Sequence, residues 1–111
     1  FLTAPLMKWM FGKYVSDPAQ RGNDLMSPVR ASAERLRGLP ATLIVVAEND
    51  ILRDEGEAMG RRLDEAGVEV TTVRFNGVVH DWGMLNGFAA LHPTRTLIRL
   101  VGSVLRGYLE K

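Results

Sequence analysis

The sequence contains no cysteine among its 111 residues. This absence excludes a disulfide framework, a thiolate metal site and a thiol nucleophile. It suits a cytoplasmic protein, which is the compartment we expect. No apolar run approaches the ~20 residues that a membrane-spanning helix needs, so we expect no membrane span.

The chain also lacks an excess of either charge. Its formal net charge is +1, and no lysine- or arginine-rich tract occurs. We therefore expect no nucleic-acid partner. A content of 46% hydrophobic and 24% charged residues is an ordinary globular balance, which argues against disorder. The first residue is Phe1 rather than methionine, and we expect the chain to be a piece of a longer protein.

A strand, a helix and a second strand are predicted in the middle of the chain. The continuous apolar, β-branched run Thr42–Ala47 predicts a strand buried on both faces. Residues Asp54–Ala66 form an amphipathic pattern, and Val68–Phe75 alternates partly, as in a strand nearer an edge. Such a unit predicts parallel strands joined by a right-handed crossover.

Local signals set the boundaries of these elements. Asp54 and Glu57 have capping-box spacing, and Gly67 suits the left-handed position after the helix. Asn76-Gly77 predicts a turn that ends the second strand.

Further helices are predicted on either side of this unit. Residues Thr3–Val15 are apolar almost all round, which fits either a buried packing helix or the wall of an apolar pocket. Residues Asp17–Pro28 predict a loop, and a short helix through Ala31–Leu36 is plausible. A final helix has Pro93 in its first turn and carries an apolar stripe. The stripe consists of Leu97, Val101, Val104, Leu105 and Tyr108.

Asp50 and His80 follow the two predicted strands. Because parallel strands end at the same rim of a sheet, where ligands bind in open α/β folds, we expect the two side chains to meet there. A carboxylate that accepts a hydrogen bond from imidazole suits proton transfer. Each residue has a plainer interpretation, since Asp50 can be a turn former and His80 a partly buried structural histidine. Asp81 adjoins His80, and neighbouring side chains usually diverge, so it is a poor candidate to orient the ring.

Other chemistries do not fit the spacing. The acidic cluster after Asp50 is not an EF-hand, because Leu52 occupies the third loop position. No His-Glu-x-x-His occurs, so we predict no metal site of the zincin kind. The sequence also has no Walker loop and no Gly-x-Gly-x-x-Gly, the motifs that bind nucleotide phosphates. None of the serines lies in a Gly-x-Ser-x-Gly nucleophile elbow. They are Ser16, Ser27, Ser32 and Ser103.

Four segments resemble a known family. They are Ser27-Pro28-Val29-Arg30-Ala31, Leu39-Pro40, Asp50-Ile51-Leu52-Arg53-Asp54-Glu55-Gly56-Glu57 and Gly77-Val78-Val79-His80. Together they resemble the C-terminal part of the α/β-hydrolase fold, in the branch of hormone-sensitive-lipase-like carboxylesterases that includes bacterial arylesterases and acetyl hydrolases. The implied fold class is α/β, a C-terminal fragment with two parallel strands and flanking helices. Residues 1–28 would be a pocket-flanking helix and loop, and residues 29–111 the last strands, the triad loops and the C-terminal helix.

The resemblance also implies site residues and a reaction. Asp50 looks like the triad acid and His80 like the general base of an esterase, with the serine and the oxyanion hole upstream of Phe1. The substrate would be a small apolar ester, and no metal or organic cofactor is implied. Implied substrate contacts are Met7, Trp9, Met10, Phe11, Leu52 and Trp82. The family's common His-Gly-Phe is replaced by His80-Asp81-Trp82, and a bulkier Trp82 would narrow the pocket.

Two alternatives to an esterase fragment remain open. One is a catalytically silent, ligand-binding relative of the receptor type, which loss of the histidine would favour. The other is a freestanding interaction module, whose thin sheet would leave the first strand unpaired at its outer edge. If only these residues are present, we expect that edge to recruit a partner, giving a homo-oligomer or edge-strand dimer.

Overall fold

The computed structural model describes residues 2–110. Phe1 and Lys111, the outer ends of the predicted ranges 1–28 and 29–111, lie outside the described residues. The α-helices and strands, in chain order, are α1 Ala4–Tyr14, α2 Ala33–Leu36, β1 Thr42–Asn49, α3 Arg53–Glu65, β2 Val70–Val79 and α4 His92–Leu109. Short 3₁₀ helices span Pro18–Gly22, Pro28–Arg30 and Asn86–Phe88.

Strands β1 and β2 pair in parallel, and α3 connects them. The predicted α/β class, with two parallel strands and flanking helices, is confirmed. The register is regular from Thr42 opposite Val70 to Ala47 opposite Phe75. It then shifts, because Asn49 pairs with Val79. Residues 48 and 49 of β1 therefore stand opposite residues 76–79 of β2.

The predicted end of β2 at Asn76-Gly77 was wrong. The strand continues to Val79, and this dipeptide lies in the irregular stretch of the pairing. Gly77 has a φ of 75°, a left-handed conformation that glycine adopts without penalty. The Asn76-Gly77 pair, whose composition indicates a turn, therefore forms a bulge inside the strand.

The two ends of α3 differ in how well they were predicted. Gly67 has a φ of 79° and follows the helix, as expected. The capping role of Asp54 was wrong, because Leu52 is the N-cap residue and makes no side-chain capping bond. Asp54 lies inside the first turn, where its carboxylate accepts a hydrogen bond from the Arg53 guanidinium instead.

Each face of the sheet packs against its own apolar cluster. The cluster towards α3 contains the buried residues Ala31, Leu36, Leu63, Ala66 and Val68. The cluster on the other face contains the buried residues Ala47, Val78 and Trp82, with Val45, Phe75, Phe88 and Leu97 partly buried against them. Strand side chains alternate between faces, so β1 contributes to both clusters. The predicted burial of β1 on both faces holds for Val46 and Ala47, whereas residues 42–45 are half-buried.

The first and last helices are less covered. Thr3 caps α1 by accepting a hydrogen bond from the amide of Leu6. Pro93 lies in the first turn of α4, where it was predicted. Helix α1 has no buried residue, and α4 buries only Thr94 among its described side chains. The predicted stripe on α4 is therefore open at its C-terminal end, where Leu105 and Tyr108 are exposed. Between residues 2 and 110, no helix is both long enough and apolar enough to cross a membrane.

Candidate active site

The loop after β1 fixes the carboxylate of Asp50. The backbone amide of Leu52 donates a hydrogen bond of 2.9 Å to Asp50 Oδ1. The Asp50 side chain is only 11% exposed. This Asx-type bond across two residues leaves Oδ2 as the oxygen that is available to a second partner.

That second partner is His80, the first residue after β2. His80 Nδ1 lies 2.7 Å from Asp50 Oδ2, and the imidazole side chain is 27% exposed. The meeting of carboxylate and imidazole at the rim of the sheet, predicted from the strand pattern, is confirmed. Since a carboxylate only accepts, the bond assigns the proton of a neutral imidazole to Nδ1 and leaves Nε2 as an acceptor.

A second carboxylate lies on the Nε2 side of the ring. Asp81 Oδ1 is 3.4 Å from His80 Nε2, although side chains of adjacent residues were expected to diverge. The reason is the backbone, because Asp81 has a φ of 58° and is the only non-glycine residue with positive φ in the described chain. Aspartate tolerates this left-handed conformation better than most residues. Within residues 2–110, no serine hydroxyl is hydrogen-bonded to Nε2.

A set of polar contacts behind Asp50 was missed from the sequence. Glu48 Oε2 accepts a 2.7 Å hydrogen bond from the amide of Gly77, which ties the end of β1 to the irregular part of β2. Arg53 Nη1 donates to the carbonyl oxygen of Glu48 at 2.7 Å. Both contacts bracket the loop that carries Asp50. Only the place of Glu48, directly after the apolar run, hinted at a role.

Arg53 also pairs with its neighbour Asp54 at the helix start. The hydrogen bond and the charge of Arg53 lower the pKa of Asp54, and the same contact raises the pKa of Arg53. The guanidinium is thus shared between the Glu48 carbonyl oxygen and Asp54, and within residues 2–110 it makes no hydrogen bond with the side chain of Asp50 or His80.

The predicted substrate contacts fall into three groups. On α1, Met7 and Phe11 are half-buried, whereas Trp9 (61% exposed) and Met10 project into solvent. Leu52 contacts the site through its backbone amide, as described above. Substrate binding by these residues stays a prediction.

Trp82 is placed differently from the other predicted contacts. It is 6% exposed, and its ring centroid lies 5.4 Å from that of Phe75 inside an apolar cluster. The ring therefore packs on the sheet, and a substrate contact by Trp82 also stays a prediction. Its Nε1 is buried without a hydrogen-bond partner in the described chain.

Two cavities flank the sheet, and neither is lined by Asp50 or His80. A small cavity of about 130 Å³ is lined by Gly77, Val78, Val79, Trp82, Phe88 and Leu91, next to the start of the His80 loop. A larger, mostly apolar groove of about 790 Å³ runs between the sheet and α4. Between residues 2 and 110, no three His, Asp or Glu side chains are grouped as metal ligands.

Comparison with known proteins identifies the family. The family model for the alpha/beta hydrolase fold matches residues 1–84 of the sequence. This chain belongs to the α/β-hydrolase family. The resemblance to its hormone-sensitive-lipase-like branch is thereby confirmed, since the related proteins include esterases of that kind.

Individual relatives of this α/β-hydrolase chain are esterases. A thermostable esterase from Pseudomonas putida superposes with a TM-score of 0.89 at 47% identity, over 92% of this chain and 32% of that structure. An esterase from the archaeon Pyrobaculum calidifontis superposes with a TM-score of 0.86 at 35% identity, over 98% and 33%. An arylesterase from Saccharolobus solfataricus is 37% identical over 84% of this chain and 28% of its own length. The chain thus spans about a third of the length of the relatives that it matches.

Proposed function

We propose that this chain supplies the acid and the general base of a carboxylesterase whose serine nucleophile lies outside these 111 residues. The observation that carries the proposal is the 2.7 Å contact between His80 Nδ1 and Asp50 Oδ2 at the rim of the sheet. In this assignment Nε2 takes the proton of the serine during attack and delivers it to the leaving alcohol. Asp50 keeps the ring in the required tautomer and stabilises the imidazolium that forms.

Two features support these roles. The Leu52 amide occupies one oxygen of Asp50, so the carboxylate cannot rotate freely away from the imidazole. The partial exposure of His80 gives a reacting group access to its ring. A merely structural histidine would not need a carboxylate fixed on one ring nitrogen while the ring itself stays partly exposed.

The nucleophile and the oxyanion donors are assigned to another part of the protein. None of the four serines has the flanking glycines of a nucleophile elbow, and no serine hydroxyl in residues 2–110 is hydrogen-bonded to His80. We therefore expect these residues to be inactive by themselves, because the principal source of transition-state stabilisation is absent.

Small apolar esters are the substrate class that we propose. The related proteins are named as esterases and an arylesterase, and α1 presents methionine and aromatic side chains of which none is buried within the described residues. Such side chains suit the wall of an apolar acyl or alcohol pocket. On this proposal Met7, Trp9, Met10 and Phe11 contact substrate.

The test is turnover of a short-chain aryl ester by the whole protein that contains this chain. His80→Ala is compared with His92→Ala, which removes the other histidine, an exposed residue at the start of α4. We expect His80→Ala to lower kcat by roughly 10³- to 10⁶-fold and His92→Ala to leave it within about twofold. Equal turnover in both variants would reject His80 as the base.

A second pair of variants tests the acid. Asp50→Asn keeps the shape of the side chain but favours the wrong imidazole tautomer. We expect it to lower kcat by about 10⁴-fold. Asp64→Asn, an exposed position on α3 with the same change of charge, is the control. If the unmodified protein bound apolar ligands but hydrolysed no ester, the ligand-binding alternative would replace the esterase proposal.

A further inference from the structure

Asp81 places an unneutralised negative charge at the reacting side of His80. Its Oδ1 lies 3.4 Å from Nε2, the atom opposite the Asp50 contact, and its side chain is 46% exposed. Throughout residues 2–110, no arginine or lysine pairs with Asp81. Arg53, a cation at the start of α3, already binds Asp54 and the carbonyl oxygen of Glu48 through its guanidinium.

The backbone holds this carboxylate in place. With a φ of 58°, Asp81 turns the chain directly after β2, and the amide of Met84 donates a 2.9 Å hydrogen bond to the Asp81 carbonyl oxygen. The following residue, Trp82, is buried against Phe75. The two neighbours of Asp81 in the chain are therefore both held, His80 by its contact with Asp50 and Trp82 by its burial.

We propose that Asp81 is a specificity-determining residue that favours esters with a cationic alcohol portion and disfavours those with an anionic one. This inference rests on the proposed function. To receive its proton, the leaving oxygen must come within about 3 Å of Nε2. The first atoms of the alcohol portion then lie on the order of 6 Å from the Asp81 carboxylate, whereas the acyl chain extends from the other side of the scissile bond.

The expected size of the effect is moderate. We take a unit charge at ~6 Å from a half-exposed carboxylate and an effective dielectric constant between those of a protein surface and water. Their interaction then changes kcat/KM by about three- to tenfold. The effect has opposite signs for cationic and anionic alcohols, so their ratio changes by about ten- to a hundredfold. Added salt should reduce this ratio, because the carboxylate is open to solvent.

The experiment measures kcat/KM of the whole protein for three butyrate esters of similar size. Their alcohols are choline, the neutral 3,3-dimethylbutanol and an anionic sulfonate alcohol. The variants are Asp81→Asn, which keeps the shape of the side chain, and Asp81→Gly, which fits the left-handed backbone without strain. Asp64→Asn on α3 is the charge-matched control.

We expect the protein to prefer the choline ester over the sulfonate ester by at least tenfold, with the neutral ester between them. Both Asp81 variants should bring the ratio close to one, and Asp64→Asn should keep it. An unchanged ratio in Asp81→Asn would overturn the inference. An equal loss for all three esters in both Asp81 variants would overturn it too, since it would assign Asp81 to folding or ring position.

The inference and the proposed function fail in different ways. If His80→Ala abolishes hydrolysis of all three esters while the Asp81 variants keep the ratio, the esterase proposal stands and the specificity role is rejected. If His80→Ala hydrolyses the esters normally, the base is misassigned and the specificity role is rejected with it.

Discussion

Of the two α3 glycines that face the sheet, Gly56 and Gly60, Gly60 leaves the least room for a side chain. A Cβ atom added there would lie 2.2 Å from Thr72 Oγ1 on β2 and 3.6 Å from Ile44 Cδ1 on β1. The first distance is far below van der Waals contact, and the second is ordinary. Because the threonine side chain is β-branched and stiff, relief requires a rotamer change or a displacement of the helix by about 1 Å. We therefore expect Gly60→Ala to destabilise the fold.

The magnitude follows from two opposing effects. Replacing glycine by alanine inside a helix ordinarily stabilises it by up to about 1 kcal/mol. Overpacking a close contact costs about 1–3 kcal/mol. Gly102→Ala on α4 isolates the first effect, since nothing lies within 4 Å of a Cβ there. Gly60→Ala should therefore be about 1–3 kcal/mol less stable than Gly102→Ala.

The assay is urea unfolding of each variant, followed by far-ultraviolet circular dichroism. A shift of the midpoint at constant slope reports the change in the free energy of unfolding. Thr72→Ala removes the clashing oxygen, so the double variant Gly60→Ala/Thr72→Ala should recover the lost stability, with a coupling energy of about 1 kcal/mol or more. The reasoning is refuted if Gly60→Ala stabilises the protein as much as Gly102→Ala, or if Thr72→Ala gives no rescue.

Two further predictions concern the C-terminal helix and the sheet edge. Tyr108 donates a hydrogen bond to Glu69, which raises the pKa of the phenol. The stability from this pair is therefore present below the ordinary tyrosine pKa of about 10. It is lost as the pH rises through the higher pKa of Tyr108 in the folded protein. Glu69→Gln should move the absorbance titration of Tyr108 to lower pH, and an unchanged titration would contradict this. The described sheet has two strands, so β1 keeps an open edge, and we propose that the 111-residue chain by itself self-associates through it. Sedimentation velocity over a range of concentrations checks this, and a stable dilute monomer that unfolds cooperatively would argue against it.

The sequence predicts most of what depends on pattern over several residues. The apolar run of β1, the amphipathic α3 and the parallel pairing of β2 follow from hydrophobic periodicity and the geometry of a strand–helix–strand unit. The meeting of Asp50 and His80 follows from the same geometry, because both residues come directly after parallel strands.

The incorrect predictions concern residues whose local sequence signal was overridden by a contact with another residue. Asp54 has the spacing of a helix cap, but the Arg53 side chain takes its carboxylate. Asn76-Gly77 has the composition of a turn, but both residues stay in the strand. The Gly77 amide donates a hydrogen bond to the Glu48 side chain on the neighbouring strand. The contact between Asp81 and His80 depends on a positive φ that a non-glycine residue rarely adopts.

The exposure of α1 has a different physical cause. Its apolar residues predict cover on more than one side, and the described residues provide none that buries any of them. The chain matches about a third of the length of its esterase relatives. Periodicity shows that a helix needs a partner surface, but it does not show which chain segment supplies that surface.

The shifted register beside the paired residues limits how the length of β2 can change. Two residues of β1 stand opposite four of β2 just before Asp50 and His80. Phe75 and Val78 contact the same apolar cluster, so the regular alternation of faces does not hold across this stretch. The position of His80 opposite Asp50 therefore depends on the left-handed conformation of Gly77 and on the hydrogen bond from its amide to Glu48. Loop grafting or shortening at this rim should therefore leave residues 76–79 unchanged.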